Sequence, residues 1–225
     1  MRFKGSIMVL GLMLVMGYSS QAEAGSMMGK TTLGLDVGGS FIPQEVDTDT
    51  DGSAGPIVGI SGTYGLSDNL VVGLGISWET HTLEDTEAGS ALGDIADVST
   101  ISILPTVQWY FGMSEKVSPY GLLGLGFNIN SVSEDDGLND AFDAATGCVG
   151  CSVSFDLDNT FAVKVGGGVD FAISDTLALN GELAWKLNSG GGDVEVTAPG
   201  IPTFSDTIDS NLSAISITVG VRLML

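Results

Sequence analysis

The sequence predicts an all-β protein, an eight-stranded antiparallel up-and-down transmembrane β-barrel. Three observations point to this fold. Apolar and polar residues alternate with a period of two in eight segments after residue 30. Short and long connections alternate between these segments, and large aromatic residues lie toward the strand ends on the apolar face. Together these features are typical of barrels that cross a bilayer.

The first residues have the pattern of a secretory signal peptide. Two cations precede an apolar run over residues 7–17, and Ala22-Glu-Ala24 fits a small-residue cleavage site. The alternative, a membrane anchor, is disfavoured because this run is too short to cross ~30 Å of hydrocarbon as a helix. We therefore expect residues 1–24 to be cleaved, which leaves residues 25–225 as one barrel domain.

The predicted strands alternate in direction along the rest of the chain. They cover residues 31–43, 56–66, 70–82, 100–112, 119–132, 160–174, 177–189 and 212–225. Tight turns are predicted at 67–69, 113–118 and 174–176, and long loops at 44–55, 83–99, 133–159 and 190–211. An even number of strands places both chain ends on the short-turn side, where transmembrane barrels have their periplasmic turns.

Alternation alone does not exclude a soluble sandwich, but the positions of the aromatic residues do. On the apolar faces they form two predicted girdles at the lipid–water interfaces. The girdle on the long-loop side contains Phe41, Trp78, Phe127, Phe161 and Trp185, and that on the short-turn side contains Tyr64, Trp109, Phe111 and Phe171.

The opposite faces are rich in glycine, which suits the narrow interior of an eight-stranded barrel. The glycines that point inward by parity are Gly34, Gly38, Gly59, Gly73, Gly75, Gly124, Gly126, Gly166, Gly168 and Gly220.

Charged residues within the strands identify the inner face, because a charge at the lipid midplane costs ~2–4 kcal/mol. Six of those with inward parity form a predicted lumenal network: Asp36, Lys164, Asp170, Glu182, Lys186 and Arg222. Arg222 is expected to bridge carboxylates across the seam between the first and eighth strands. Two interpretations follow: a constriction that screens solutes, or an ionic plug that fixes the barrel interior.

The long loops are acidic, and the formal net charge of the chain is −21. This charge argues against nucleic acid as a partner and suggests that divalent cations bridge the loops to anionic lipid. The segment with Asp47, Asp49 and Asp51 begins like a calcium-binding EF-hand loop. However, Val58 stands where the bidentate acid belongs, so these residues are only a weak metal candidate.

Two further motifs contain residue types that can carry chemistry. Cys148 and Cys151 lie close together in a secreted chain, which predicts a surface disulfide. His81 could act as a base for Ser77 with Glu79 orienting it, but all three have inward parity near the rim, away from lipid substrates. We therefore predict no enzymatic activity and no cofactor.

Part of the chain resembles the OmpW family of small outer-membrane barrels. LPTVQWYF at 104–111 and KVSPYGLLGLGFN at 116–128 resemble its central hairpin, and GVDFAISDTLALNGELAWKL at 168–187 resembles the next one. Members of the family usually end in an aromatic residue, whereas this chain ends in Leu225. The resemblance implies an outer-membrane barrel that passes small hydrophobic molecules through an apolar upper pocket and sideways into the membrane.

We therefore expect a protein of the bacterial outer membrane whose partners are outer-membrane lipid, small hydrophobic solutes and divalent cations. Its leading function is passive passage of such solutes, with inward Leu104 and Leu122 on the pathway. The alternative is a structural or surface-interaction protein with a closed lumen and acidic, cation-binding loops. No oligomeric state is predicted.

Overall fold

Thirteen β-strands make up the part of the chain that the computed structural model describes, which is residues 26–43, 45–47, 50–85, 94–134, 147, 150–200 and 202–225. They are β1 (Thr31–Phe41), β2 (Glu45–Asp47), β3 (Thr50–Gly52), β4 (Ala54–Gly65), β5 (Leu70–Asp85), β6 (Asp94–Tyr110), β7 (Val117–Glu134), β8 (Ser152–Leu157), β9 (Thr160–Ala172), β10 (Leu177–Leu187), β11 (Ser189–Thr197), β12 (Phe204–Asn211) and β13 (Ala214–Met224). Within these residues there is no helix that is long and apolar enough to cross a membrane.

Eight of these strands close into an antiparallel barrel, as the sequence predicts. Its neighbours run in the order β1, β4, β5, β6, β7, β9, β10 and β13, and β13 pairs with β1 to close the ring. At this seam Leu35 is in register with Val221. The backbone nitrogen of Leu225 donates to the Thr31 carbonyl over 2.8 Å, which joins the residue after β13 to the start of β1 on the short-turn side.

The outer face of the barrel is apolar and the inner face is polar or small, as the alternation predicts. Trp78 is 43% exposed and Val219 is 61% exposed, whereas Arg222 is only 4% exposed. In the long-loop girdle Phe127 and Phe161 are in register and pack edge to face, with ring centroids 6.1 Å apart.

Inward glycines leave room for the side chains that fill the interior. A Cβ added at Gly168 would lie 2.6 Å from Tyr120 Cζ, so a larger residue would collide with a lumenal ring. On the outer face, a Cβ added at Gly181 would meet nothing within 4 Å. The small residues are therefore needed on the inner side of the wall.

Three of the four predicted long loops contain β-strands that were not predicted. The 44–55 segment contains β2 and β3, which pair with each other and continue onto β5. The other two contribute β8, β11 and β12, which form a separate three-stranded sheet in the order β12-β11-β8. Acidic and glycine residues suggested loops there, but alternate apolar residues such as Val153 and Leu157 give β8 a buried face.

We call β8, β11 and β12 the extracellular sheet. Its strands continue β9, β10 and β13 beyond the barrel, after breaks of one or two residues at 158–159, 188 and 212–213. On the other side of the barrel, β5, β6 and β7 are 16 to 18 residues long, so they also extend beyond the barrel at its long-loop end. The upper, long-loop end of the barrel thus lies between two tall walls.

Candidate functional site in the barrel lumen

The lumen is divided into levels, and the lowest is a vestibule open to the short-turn side. Its volume is about 840 Å³, and its lining includes Lys30 and Lys116 near the mouth. Tyr110, Asp170 and Arg222 line its inner end. A vestibule that ends on buried side chains is not a continuous water path.

Arg222 closes the vestibule from above with hydrogen bonds to three other barrel residues. Its guanidinium donates to Gln108 Oε1 over 3.3 Å, to the Tyr110 hydroxyl over 3.3 Å and to the Tyr120 hydroxyl over 2.8 Å. Its Nε lies 3.2 Å from Asp170 Oδ1, an ion pair without the alignment of a hydrogen bond. Asp170 also accepts from the Tyr110 hydroxyl over 2.6 Å. A planar group with five N–H donors suits this crosslinking role.

Arg222 was expected to bridge carboxylates across the seam of β1 and β13. The structure gives it a carboxylate partner on a different strand. Arg222 is in register with Gly34 on β1, but its ion pair is with Asp170 on β9. Asp36, on the seam strand, keeps a buried Oδ1 without a hydrogen-bond partner among the described residues. Oxygen acceptors on β6, β7 and β9 offer the guanidinium more hydrogen bonds than this single carboxylate does.

Above Arg222 lies a small, partly open cavity of about 60 Å³, which has room for a few water molecules at most. Leu104 and Leu122, the predicted pathway residues, both line it. So do Lys164 and Glu182, whose Nζ and Oε1 lie 2.7 Å apart. The two leucines therefore lie in the lumen as predicted, but between ionic layers. Their role on a solute pathway stays a prediction.

A second buried ion pair lies in the lumen above the level of this cavity. Lys186 Nζ contacts Glu79 Oε1 and donates to Ser102 Oγ over 2.7 Å. Ser102 lies two residues above Leu104 on the inner face of β6. Lys186 and Glu79 are both almost fully buried, so the pair fills the lumen at this level.

A layer of amides and hydroxyls continues upward from this ion pair. Thr160 Oγ1 donates to Asn188 Oδ1 over 2.6 Å and accepts from Asn128 over 3.2 Å. Asn188 also donates to Asn130 over 3.0 Å, and Thr100 donates to Asn130 over 2.8 Å. The chain of hydrogen bonds makes this layer a polar floor for whatever lies above it.

Above the polar floor the lumen is filled by what we call the upper apolar cluster. Side chains from both tall walls meet there, which buries apolar surface between the barrel and the extracellular sheet. Its buried members are Ile42, Val98, Leu157, Leu212 and Ala214, and Leu83, Val132 and Ile208 pack against them.

His81 lies at the lower edge of this cluster and not in a hydrolase arrangement. Its Nδ1 lies 2.9 Å from the Ser53 carbonyl oxygen. Glu79, which would orient the base in a triad, is instead paired with Lys186. Ser77 lines the small cavity farther down. The geometry therefore gives no support to the triad interpretation.

Two other predicted sites fall wholly or partly outside the described residues. Cys151 is buried and disulfide-bonded, and its predicted partner Cys148 lies outside the described part of the chain. Asp49 lies outside it as well, as do the side chains of Asp47 and Asp51. The backbone there forms the β2–β3 hairpin, so strands stand where an EF-hand has helices. Both sites stay predictions.

The structure adds residues to the lumenal network that were not predicted from the sequence, among them Gln108, Tyr110, Tyr120 and Glu79. Their inward positions in the alternating strand pattern could have identified them. Tyr110 lies between outward Trp109 and Phe111, and Tyr120 shares the face of Leu122. Attention to formal charges alone left the tyrosines out.

Comparison with known proteins agrees with this architecture. A family model described as "Outer membrane protein beta-barrel domain" matches residues 10–223. No curated protein matches the sequence significantly.

Among solved structures, OprG from Pseudomonas aeruginosa is 16% identical with a TM-score of 0.69, over 89% of this chain and 98% of OprG. The outer membrane protein AlkL is 16% identical with a TM-score of 0.52, over 93% of this chain and 95% of AlkL. The outer membrane protein W of E. coli is 19% identical, over 88% of this chain and 98% of that protein, but its TM-score of 0.46 carries no argument.

At these identities the neighbours bear on the fold alone, while the family match covers nearly the whole chain. A closed barrel with an even number of antiparallel strands and an apolar outer face is the architecture of outer-membrane barrels. The chain therefore belongs to the family of the outer membrane protein beta-barrel domain and is a protein of the bacterial outer membrane.

Proposed function

We propose that this protein lets small apolar molecules pass from the cell exterior into the outer membrane while its lumen stays closed to water and ions. The observation that carries the proposal is the vertical order of the lumenal layers. Apolar side chains fill the upper end, a polar floor lies beneath them, and two buried ionic layers lie below that floor. A solute that dissolves in the upper level has no apolar continuation downward.

The lower layers make passage straight through the barrel unfavourable for either class of solute. An ion would have to displace Lys186 from Glu79 and then Arg222 from its oxygen partners. An apolar molecule would have to cross buried charges that it cannot solvate. The solute's remaining route leads sideways, into the hydrocarbon that surrounds the barrel, as the OmpW resemblance implies.

The upper level is suited to a guest because its two walls are separate sheets. Leu157 and Ile208 of the extracellular sheet pack on Ile42 and Val98 of the barrel strands. Among the described strands, no hydrogen-bonded ladder joins the extracellular sheet to the barrel or to the β2–β3 hairpin. Side-chain packing can rearrange around an apolar molecule at less cost than a hydrogen-bonded ladder.

The test is entry of a fluorescent apolar probe into vesicles whose outer leaflet is lipopolysaccharide, with and without the protein. Val98→Asn and Leu157→Asn place an amide in the upper apolar cluster, and both should reduce probe entry several-fold. Thr207→Asn, on the exposed face of β12, is the matched control and should leave entry unchanged. Equal entry with all three variants would contradict the proposal.

A second candidate, a surface protein that binds cations, is favoured by the outward face of the extracellular sheet. Asp193 on β11 is directly opposite Asp156 on β8, and Glu195 follows on the same face. Like charges directly opposite each other on neighbouring strands repel, and a loosely held divalent cation would relieve this repulsion. Within the described part of the chain no group of three or more acidic, histidine or cysteine side chains is arranged to enclose a metal ion. Calorimetric titration with calcium tests this candidate: Asp156→Asn together with Asp193→Asn should lower the heat of binding, and unchanged heat would exclude the sheet face.

A further inference from the structure

Two buried polar side chains at the lower edge of the upper apolar cluster each have an atom without a hydrogen-bond partner. His81 is 3% exposed and Ser40 is fully buried. Within the part of the chain that the structure describes, neither His81 Nε2 nor Ser40 Oγ has a hydrogen-bond partner. Buried polar atoms are nearly always paired, so two unpaired atoms in one region need an explanation.

The two side chains lie in one row across neighbouring strands. Ser40 on β1 is in register with Gly55 on β4, and a Cβ added at Gly55 would lie 3.5 Å from His81 Cα on β5. Gly55 has no side chain, so nothing on β4 projects between Ser40 and His81 in this row. Two neighbouring strand spacings put their backbones roughly 10 Å apart, a gap that a serine, an imidazole and one small polar group can span.

The row borders the upper apolar cluster directly. Ile42, the residue after the end of β1, follows Ser40 by two residues, and Leu83 follows His81 by two residues on the inner face of β5. On the other side of His81, its register partner on β6 is Val98, another member of the cluster. A molecule lodged in the cluster would therefore have its lower end at His81 and Ser40.

The hydrogen-bonding roles of the two groups are complementary. The Ser53 carbonyl only accepts, so Nδ1 of the imidazole carries a proton, and in the neutral tautomer with this proton Nε2 is an acceptor. A serine hydroxyl can both donate and accept. One hydroxyl group of a guest can thus donate to His81 Nε2 and accept from Ser40 Oγ.

We propose that His81 and Ser40 form a head-group site for a small molecule with one hydroxyl group and an apolar body, such as a primary alkanol. The alkyl chain lies among the side chains of the upper apolar cluster. The inference rests on the proposed function and narrows it, because it separates alcohols from plain hydrocarbons among the molecules that enter.

The chain's single histidine makes the site directly observable. Protein labelled with ¹⁵N-histidine in lipid bilayers is titrated with 1-octanol and, in parallel, with n-octane. A hydrogen bond to Nε2 should move its ¹⁵N resonance to lower frequency with octanol and leave it unmoved with octane. No movement with octanol, or equal movement with both, would overturn the site, since either result shows that Nε2 does not recognise the hydroxyl.

A pair of serine variants adds a matched control. Ser40→Ala removes one side of the site and should raise the octanol concentration at half-maximal shift by roughly 3- to 10-fold, as expected for one lost hydrogen bond. Ser216→Ala, on the adjacent strand β13, removes a hydroxyl already bonded to the Ala184 carbonyl and should not alter it. The same octanol response in both variants would contradict the role of Ser40.

Uptake of n-octane distinguishes this site from the proposed function. One outcome is that octane enters vesicles with lipopolysaccharide in the outer leaflet while octanol leaves the ¹⁵N resonance of His81 Nε2 unchanged. In that case the head-group site is wrong and the proposed passage of apolar molecules is retained. If octanol shifts the ¹⁵N resonance of His81 Nε2 but neither compound enters the vesicles, the head-group site is retained and the proposed passage is wrong.

Discussion

Arg222 and Tyr120, on strands β13 and β7, meet across the barrel interior, where the guanidinium donates a 2.8 Å hydrogen bond to the tyrosine hydroxyl. The guanidinium carbon also lies 5.0 Å from the centre of the Tyr120 ring. Tyr120 in turn donates to Glu182 Oε2 over 2.9 Å, which links the Arg222 layer to the Lys164–Glu182 pair. This connection favours an ionic plug over an open constriction that screens solutes.

Replacing Arg222 with leucine should destabilise the barrel without opening it. Asp170 would remain buried with its cationic partner removed, a change that typically costs about 3–5 kcal/mol. The two tyrosines and the Lys186–Glu79 pair would remain in the lumen, so ion conductance should stay at the wild-type level. Urea unfolding in vesicles measures the first effect and planar-bilayer recording the second.

Arg222→Leu combined with Asp170→Leu provides the control for that prediction. Removing both charges together should recover much of the lost stability, because no buried charge is then left unpaired. A double variant no more stable than Arg222→Leu would show that the ion pair is not what the single substitution disrupts.

Gly168→Ala and Gly181→Ala form a matched pair on opposite faces of the wall. A Cβ at Gly168 would collide with Tyr120 and the Gly181 carbonyl, so we expect a loss of about 1–3 kcal/mol from overpacking. At Gly181 the added methyl faces open space and should be neutral or slightly stabilising. Unfolding midpoints compare the two, and equal effects would mean that inward crowding does not select glycine here.

Glu79 and Lys186 should behave as one energetic unit. Lys186→Met leaves Glu79 as a buried, unpaired carboxylate and should cost several kcal/mol, on the order of 3–5. Adding Glu79→Gln should restore most of this stability, so the two effects should be strongly non-additive in a double-mutant cycle. Additive effects would indicate that the two side chains are independently solvated.

Arginine substitutions on the outer face test which side of the wall contacts lipid. Val219→Arg lies midway along β13 and should cost ~2–4 kcal/mol of folding free energy, because the charge must enter the hydrocarbon. Ile173→Arg lies at the short-turn end beyond β9 and should cost ~0–1 kcal/mol. Equal costs at the two depths would contradict the membrane placement.

The barrel could be predicted from the sequence because each strand's environment repeats every two residues. The lipid outside favours large apolar side chains, whereas the narrow lumen accepts only side chains that fit together inside the barrel. On β5, Trp78 accordingly lies on the exposed outer face and Val71 is buried on the inner face. Strand number and order follow from this alternation together with the loop lengths, and the lipid-facing side follows from the aromatic girdles and the inward charges. The extracellular sheet was not predicted because the glycines at 190–192 and the surrounding acidic residues are typical of a loop. In the structure β11 is stabilised by pairing with β8, which lies far away in the sequence.

The lumenal contacts were only partly predictable, because parity gives a direction and not a partner. It placed Arg222 and Asp170 inside correctly, but it could not show that the guanidinium reaches β9 in preference to Asp36 on its neighbouring strand. Strand tilt in the closed barrel decides which inward side chains lie at the same height. The tilt depends on the registers of all eight strand pairs together. The unpaired atoms of His81 and Ser40 depend on the packing of the folded chain, which residue parity does not specify.

The most direct test of the account is a simultaneous measurement of apolar-probe entry and ion flux in vesicles with a lipopolysaccharide outer leaflet. We predict that the wild-type protein accelerates entry of the apolar probe while potassium flux stays at the level of protein-free vesicles. Potassium flux that rises with the amount of protein, or probe entry no faster than in protein-free vesicles, would contradict the central claim of an apolar entry above a closed lumen.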